Sequence, residues 1–148
     1  MAVKEHGRTD LIGPLGTALR GGLRQLLGWG VLSAPLTVVP APTRRSAARR
    51  RGGDPVTRIA LAATSGGQGI TVVQALRMKA LVRDSVGLSG AARQRNVAGR
   101  VASTANVPNG DLVLVDDIVT TGATASEAVR VLQTSGTRVV AVLALANA

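Results

Sequence analysis

The sequence predicts an α/β fold, a mostly parallel twisted sheet of about five strands with helices on both faces. Short runs dense in Val, Leu and Ile at Leu36–Val39, Ile70–Leu76, Asp111–Val115 and Arg138–Leu145 alternate with segments whose apolar residues recur at helical spacing. That alternation is the signature of strand–helix–strand units. The runs are also apolar on both sides of the pleat, as strands covered on two faces must be.

In chain order, Leu11, Leu15, Leu19, Leu23, Leu26 and Leu27 mark an amphipathic helix over Leu11–Leu27, with Asp10 as its expected cap. It belongs to a helical N-terminal segment spanning residues 1–35. Leu36–Val39 reads as a buried strand stopped by Pro40 and Pro42. Asp54-Pro55 has the cap-then-proline order of a helix start, and Val56, Ile59, Ala60 and Ala63 form its apolar stripe up to Thr64. Ile70–Leu76 is expected to be one strand. Residues 77–99 read as a long polar loop, with a short helix near Ala91–Arg95, and Arg100–Ser103 as a brief strand. After the turn at Pro108-Asn109-Gly110, Asp111–Val115 has the strongest buried character. Ala125–Gln133 follows as a helix with Thr124 and Glu127 at capping-box spacing, and Arg138–Leu145 is the last strand. At 148 residues, all of this is expected to form a single domain over 1–148.

Composition narrows the function classes. The chain has one Trp, no Phe and no Tyr, so the core is aliphatic and aromatic platforms for stacking bases are excluded. Direct nucleic-acid binding through Arg44–Arg51 therefore ranks last among the readings. No Cys is present, which removes disulfides, thiolate catalysis and cysteine zinc sites. His6 is the only histidine and has no partner motif. The absence of a long apolar run and of an export-type N-terminus leads to the expectation of a cytoplasmic protein without membrane insertion. Eighteen Lys and Arg against eight Asp and Glu give a net charge of +10, densest at Arg44, Arg45, Arg49, Arg50 and Arg51. An anionic partner is implied, whether a polyphosphate, a nucleic acid or an acidic surface.

The chemistry is concentrated in residues 112–124. In open parallel sheets ligands gather beyond the carboxyl ends of the strands, and Leu112-Val113-Leu114-Val115 delivers Asp116 and Asp117 to that edge. Ionised carboxylates only accept hydrogen bonds, and a sugar's vicinal hydroxyls offer two donors. A lone Asp-Asp pair would be better explained as a solvated strand end. Thr120-Thr121-Gly122-Ala123-Thr124 changes the balance, because this turn runs straight into a helix. The first-turn N–H groups and the helix dipole favour an anion there, Gly122 lets the backbone approach closely, and the threonine hydroxyls add donors. Ordinary helix capping explains the threonines taken alone. Taken together, the strand, acids and turn match the layout of a ribose 5-phosphate. No other phosphate-binding pattern competes: there is no G-x-x-x-x-G-K-[ST], and Gly66-Gly67-Gln68-Gly69 lacks dinucleotide-site spacing.

Leu112–Thr124 resembles the signature of the type I phosphoribosyltransferases, in which hydrophobic residues, Asp-Asp and Thr-Gly-x-Thr follow one another without a gap. Three further stretches resemble the ComF branch of competence-associated proteins: Lys4-Glu5-x-Gly7-Arg8; Val39-Pro40-Ala41-Pro42 with Arg51-Gly52; and Leu88, Arg93, Asn96 and Val97. The cysteine-rich zinc module of many such proteins is missing, and the chain is expected to be shortened at its N-terminus.

The resemblance implies a type I phosphoribosyltransferase-like fold and a ligand that is phosphoribosyl pyrophosphate or another carrier of ribose 5-phosphate. Asp116 and Asp117 would hold the ribose hydroxyls as catalytic residues, and Thr120, Thr121, Gly122, Ala123 and Thr124 the 5'-phosphate. Pro40, Ala41 and Pro42 would face the pyrophosphate and Asp84–Arg95 would form a hood over the site, with Arg44, Arg45, Arg83 and Arg93 as the cations near these loops. Mg²⁺ is the implied cofactor, brought by the substrate and in reach of Asp116 and Asp117. Competence-machinery proteins and a second copy of the chain in a homodimer are the macromolecular partners that fit such a protein.

Overall fold

The computed structural model describes residues 9–43, 54–79 and 99–147. A single 3₁₀ turn at Thr9–Leu11 leads into α1 (Ile12–Gly28), followed by β1 (Leu36–Pro40), α2 (Pro55–Thr64), β2 (Ile70–Val72), β3 (Leu76–Met78), β4 (Val101–Ser103), β5 (Asp111–Val119), α3 (Ala123–Thr134) and β6 (Val139–Asn147).

Four strands form a parallel sheet in the order β2-β1-β5-β6. The pleat sorts its side chains. Leu36, Val38, Val113 and Val115 pack with Leu19 and Leu23 of α1 and with Val56, Ile59, Ala60 and Ala63 of α2. Val39, Leu112 and Leu114 pack on the other face with Ala125, Ala128, Val131 and Leu132 of α3. Helices thus cover both faces, and the central strands β1 and β5 are buried nearly throughout.

The expected α2 start is observed in full. The Asp54 carboxylate accepts the Val56 N–H at 3.3 Å and the Thr57 hydroxyl at 2.7 Å, with Pro55 in the first turn. All four residues of the expected stripe are buried. The start of α1 differs, because Asp10 falls in the 3₁₀ turn and the cap position is Leu11, which makes no side-chain cap bond. Gly16 lets α1 lie directly on α2, since a Cβ there would stand 2.8 Å from the Cβ of Ala62.

Two expectations about strands are corrected. Ile70–Leu76 is not one strand: it splits at Val73–Ala75 into β2, which joins the parallel sheet, and β3, which pairs antiparallel with β4 in a separate two-stranded ladder. Among the described residues the parallel sheet has four strands, and the brief strand near Arg100–Ser103 belongs to the ladder. β5 also runs on past Val115 to Val119, because β6 offers partners all the way, with Asp116 opposite Ala144 and Val119 opposite Asn147.

Candidate functional site: an uncapped helix start beside a deep strand end

α3 begins without a side-chain cap. Its N-cap is Gly122, held at φ +72, a region open to glycine at little cost and strained for other residues. The capping box expected from Thr124 and Glu127 does not form, since the helix starts at Ala123, ahead of Thr124. The intrahelical ladder begins with the Ser126 N–H donating to the Gly122 carbonyl at 2.8 Å. The amides of the first turn precede that bond, and the Ala123 N–H donates only a long 3.4 Å bond to the Thr121 hydroxyl oxygen. An anion is the natural partner for such a turn.

A cleft of about 50 Å³ opens over this turn, bordered by Asp116, Ile118, Val119 and the whole of Thr120–Ala125. That is several times the roughly 10–15 Å³ a single water needs. The five residues Thr120, Thr121, Gly122, Ala123 and Thr124 of the expected cradle and one of the two acids are thus brought together.

The two acids do not stand at a strand end. They lie inside β5, and the pleat turns them opposite ways: Asp116, in phase with Leu112 and Leu114, borders the cleft on the α3 side, while Asp117, in phase with Val113 and Val115, is only 3% exposed. Each also serves the backbone ahead of it. Asp116 Oδ1 accepts the Asp117 N–H, and Asp117 Oδ1 accepts the Ile118 N–H, both at 2.8 Å.

A second, larger cavity of about 330 Å³ lies past the end of β1, bordered by Pro40, Ala41, Pro42, Thr43, Asp54, Thr57, Gln74, Leu76, Arg77 and Thr104. Its size is at the low end for small-molecule pockets. Pro40 pairs with Val115, so this cavity and the cleft flank adjacent strands. Thr43 donates its hydroxyl to Asp54 at 2.7 Å, tying the proline loop to the start of α2. Sequence reasoning placed Pro40–Pro42 here but missed Thr43, Thr57, Gln74, Arg77 and Thr104. Asp54 was read only as a cap, and the ladder that carries Leu76 and Arg77 is formed by residues too far apart in sequence for local pattern to reveal.

Arg44, Arg45, Arg83 and Arg93, the expected pyrophosphate and hood cations, lie outside the described residues, as do the ComF-like stretches at Lys4–Arg8, Arg51-Gly52 and Leu88–Val97. Among the described residues no three of His, Cys, Asp and Glu converge on a metal position, and no helix is long and apolar enough to cross a membrane. Asp116 is the carboxylate that borders the cleft.

Among solved structures, phosphoribosylpyrophosphate synthetase from Mycobacterium smegmatis superposes on 89% of the chain with a TM-score of 0.53 at 14% identity. Hypoxanthine phosphoribosyltransferase from Staphylococcus aureus superposes on 93% with a TM-score of 0.50 at 15% identity. The chain has the phosphoribosyltransferase fold. It spans 33% of the length of the first of these proteins and 62% of the second. No protein-family model matches the chain, and no curated protein matches it. In this fold the cleft and the larger cavity both lie toward the carboxyl ends of parallel strands, the place where open α/β sheets bind ligands.

Proposed function

We propose that the chain binds phosphoribosyl pyrophosphate and transfers its ribosyl 5-phosphate group to an acceptor nucleophile. The observation that carries this reading is the uncapped first turn of α3, entered through Gly122 at positive φ, with the Thr120–Thr124 turn and Asp116 around one cleft. The 5'-phosphate takes the α3 amides and the threonine hydroxyls. Asp116 accepts a ribose hydroxyl, and its charge stands near the positive charge that develops on the ring as the bond from the anomeric carbon to the diphosphate breaks. Asp117, the second acid of the motif, is turned to the opposite, buried face of β5, where its carboxylate accepts the Ile118 N–H and braces the strand that carries Asp116. The diphosphate is directed to the larger cavity, beside Pro40–Pro42 and Arg77. A Mg²⁺ bound by the diphosphate oxygens, water and the Asp116 carboxylate would neutralise the leaving group. The acceptor's lone pair then forms the new bond at the anomeric carbon.

Titration of the chain with ribose 5-phosphate and with phosphoribosyl pyrophosphate plus Mg²⁺ tests binding, and diphosphate release across a panel of bases and amines tests transfer. Saturable binding of both ligands is expected, with release for at least one acceptor. Absence of binding to either would remove the assignment. Binding without release for every acceptor would make the chain a phosphoribosyl-sensing module, the role in which the ComF resemblance, and with it contacts to competence-machinery proteins or a homodimer, would carry most weight.

A further inference from the structure

Glu127 stands one turn into α3, in the helix whose first turn is the cradle, and is 7% exposed. Ligand binding as described above leaves it without a task. Its Oε1 accepts the backbone N–H of Gly99 at 2.6 Å, and its two oxygens accept a forked pair of bonds from Arg130, each at 2.8 Å. A helix-surface ion pair three residues apart is worth little by itself. The bond to Gly99 is of another kind: it reaches a residue 28 positions away, from a buried carboxylate.

Gly99 immediately precedes Arg100, whose carbonyl accepts the Lys79 N–H at 2.7 Å and closes the far end of the β3–β4 ladder. The ladder has three residue pairs and is separate from the main sheet. So short a two-stranded unit has no independent stability and takes its position from what it is fastened to. Among its fastenings are the packing of Ala75, Leu76 and Val101 in the cluster that includes Ala125, Ala128, Val131 and Leu132 of α3, and the Glu127–Gly99 bond. At its near end, Leu76, Arg77 and Thr104 line the larger cavity together with Pro40–Thr43.

We propose that Glu127 is a positioning residue: through the Gly99 N–H it fastens the β3–β4 ladder to the cradle helix, and so keeps the Arg77 wall of the larger cavity in fixed relation to the phosphate cleft. The inference rests on the reading above, in which the cleft takes the 5'-phosphate and the larger cavity the diphosphate. Glu127 touches neither. Its effect falls on ligands that span both places and spares a ligand held by the cradle alone.

The test is calorimetric titration of the full chain with ribose 5-phosphate and with phosphoribosyl pyrophosphate plus Mg²⁺, for the wild type, Glu127→Ala, Glu127→Asp and Glu127→Gln. Aspartate keeps the charge but draws the oxygens back by one methylene, away from Gly99, and serves if the alanine variant does not fold. Glutamine keeps an oxygen that can accept the Gly99 N–H. The expected result is unchanged ribose 5-phosphate affinity in all variants, with phosphoribosyl pyrophosphate affinity about tenfold weaker in Glu127→Ala and Glu127→Asp and largely restored in Glu127→Gln. An unchanged ratio of the two affinities in the alanine and aspartate variants, or a proportional loss of both ligands, overturns the positioning role while leaving the phosphoribosyl reading intact. A wild type that binds neither ligand overturns that reading and this one with it.

Discussion

The Ala41 N–H donates to the Val115 carbonyl at 2.7 Å, one step beyond the last β1–β5 register pair at Pro40 and Val115. The next residue along β5 is Asp116, on the cleft over the α3 start, and the chain beyond Ala41 enters the loop that borders the larger cavity. Adjacent strands lie about 4.8 Å apart, so the two places are neighbours by virtue of the sheet itself.

Asp116→Asn should weaken ribose 5-phosphate binding by roughly 1.5–3 kcal/mol, the range for losing a charge-assisted hydrogen bond. Its amide oxygen can still accept the Asp117 N–H, as Asp116 Oδ1 does, so thermal unfolding should change little. Calorimetry and a melting curve on the same sample check both halves, and undiminished affinity would remove Asp116 from the sugar.

Gly122→Val should abolish phosphate binding and cost about 1–2 kcal/mol of stability, the scale of placing a non-glycine residue in the left-handed region. Crowding is not the cause, since a Cβ at Gly122 meets Val119 Cγ1 at an ordinary 3.9 Å. Urea titration gives the stability loss and inorganic phosphate titration the binding. A variant of wild-type stability would contradict the strained turn.

Asp54→Ala removes the acceptor for the Thr43 hydroxyl, the Thr57 hydroxyl and the Val56 N–H together. A cost of about 1–3 kcal/mol is expected, whereas Asp54→Asn, an equally good cap, should retain most of the stability. Chemical denaturation of the two variants side by side separates cap loss from charge loss.

The Glu127 carboxyl is held below its ordinary value of 4.5, first by the hydrogen bond from Arg130, against the opposing effect of burial, and further by the Gly99 N–H and the charges of Arg130 and Lys79. The folded state therefore binds this proton more weakly than the unfolded chain. The contribution of Glu127 to stability is complete above the unfolded value, shrinks as pH falls below it, and is gone once pH has passed the lowered folded value. Urea midpoints measured from about pH 6 down to about pH 3 should show the wild type losing its advantage over Glu127→Gln in that window. A pH-independent difference between the two would refute the ionised, bonded state of Glu127.

Much of the architecture was legible because it is written locally. The α2 start at Asp54-Pro55, its buried stripe, and the apolar runs of β1, β5 and β6 each depend on a few consecutive residues. The Thr-Thr-Gly-x-Thr turn was legible for the same reason: one glycine at positive φ and the helix after it are short-range features. The errors fell where distant residues decide. The break at Val73–Ala75 exists because Ile70–Val72 finds β1 while Leu76–Met78 finds β4. The capping box failed because the helix begins a residue before Thr124 and Glu127 turns to Gly99 and Arg130.

What the sequence determined unaided was the alternation of covered strands and helices and the order of acids, threonines and glycine that leads through a positive-φ turn into α3, since backbone preference and hydrophobic period act over a handful of residues. Only the tertiary structure decided which carboxylate meets the cleft. β6 pairs with β5 as far as Val119, the pleat then has to alternate through both acids, and Asp116 is turned to α3 while Asp117 is buried. A strand's length is set by the partner it finds, and that partner lies more than twenty residues further along the chain.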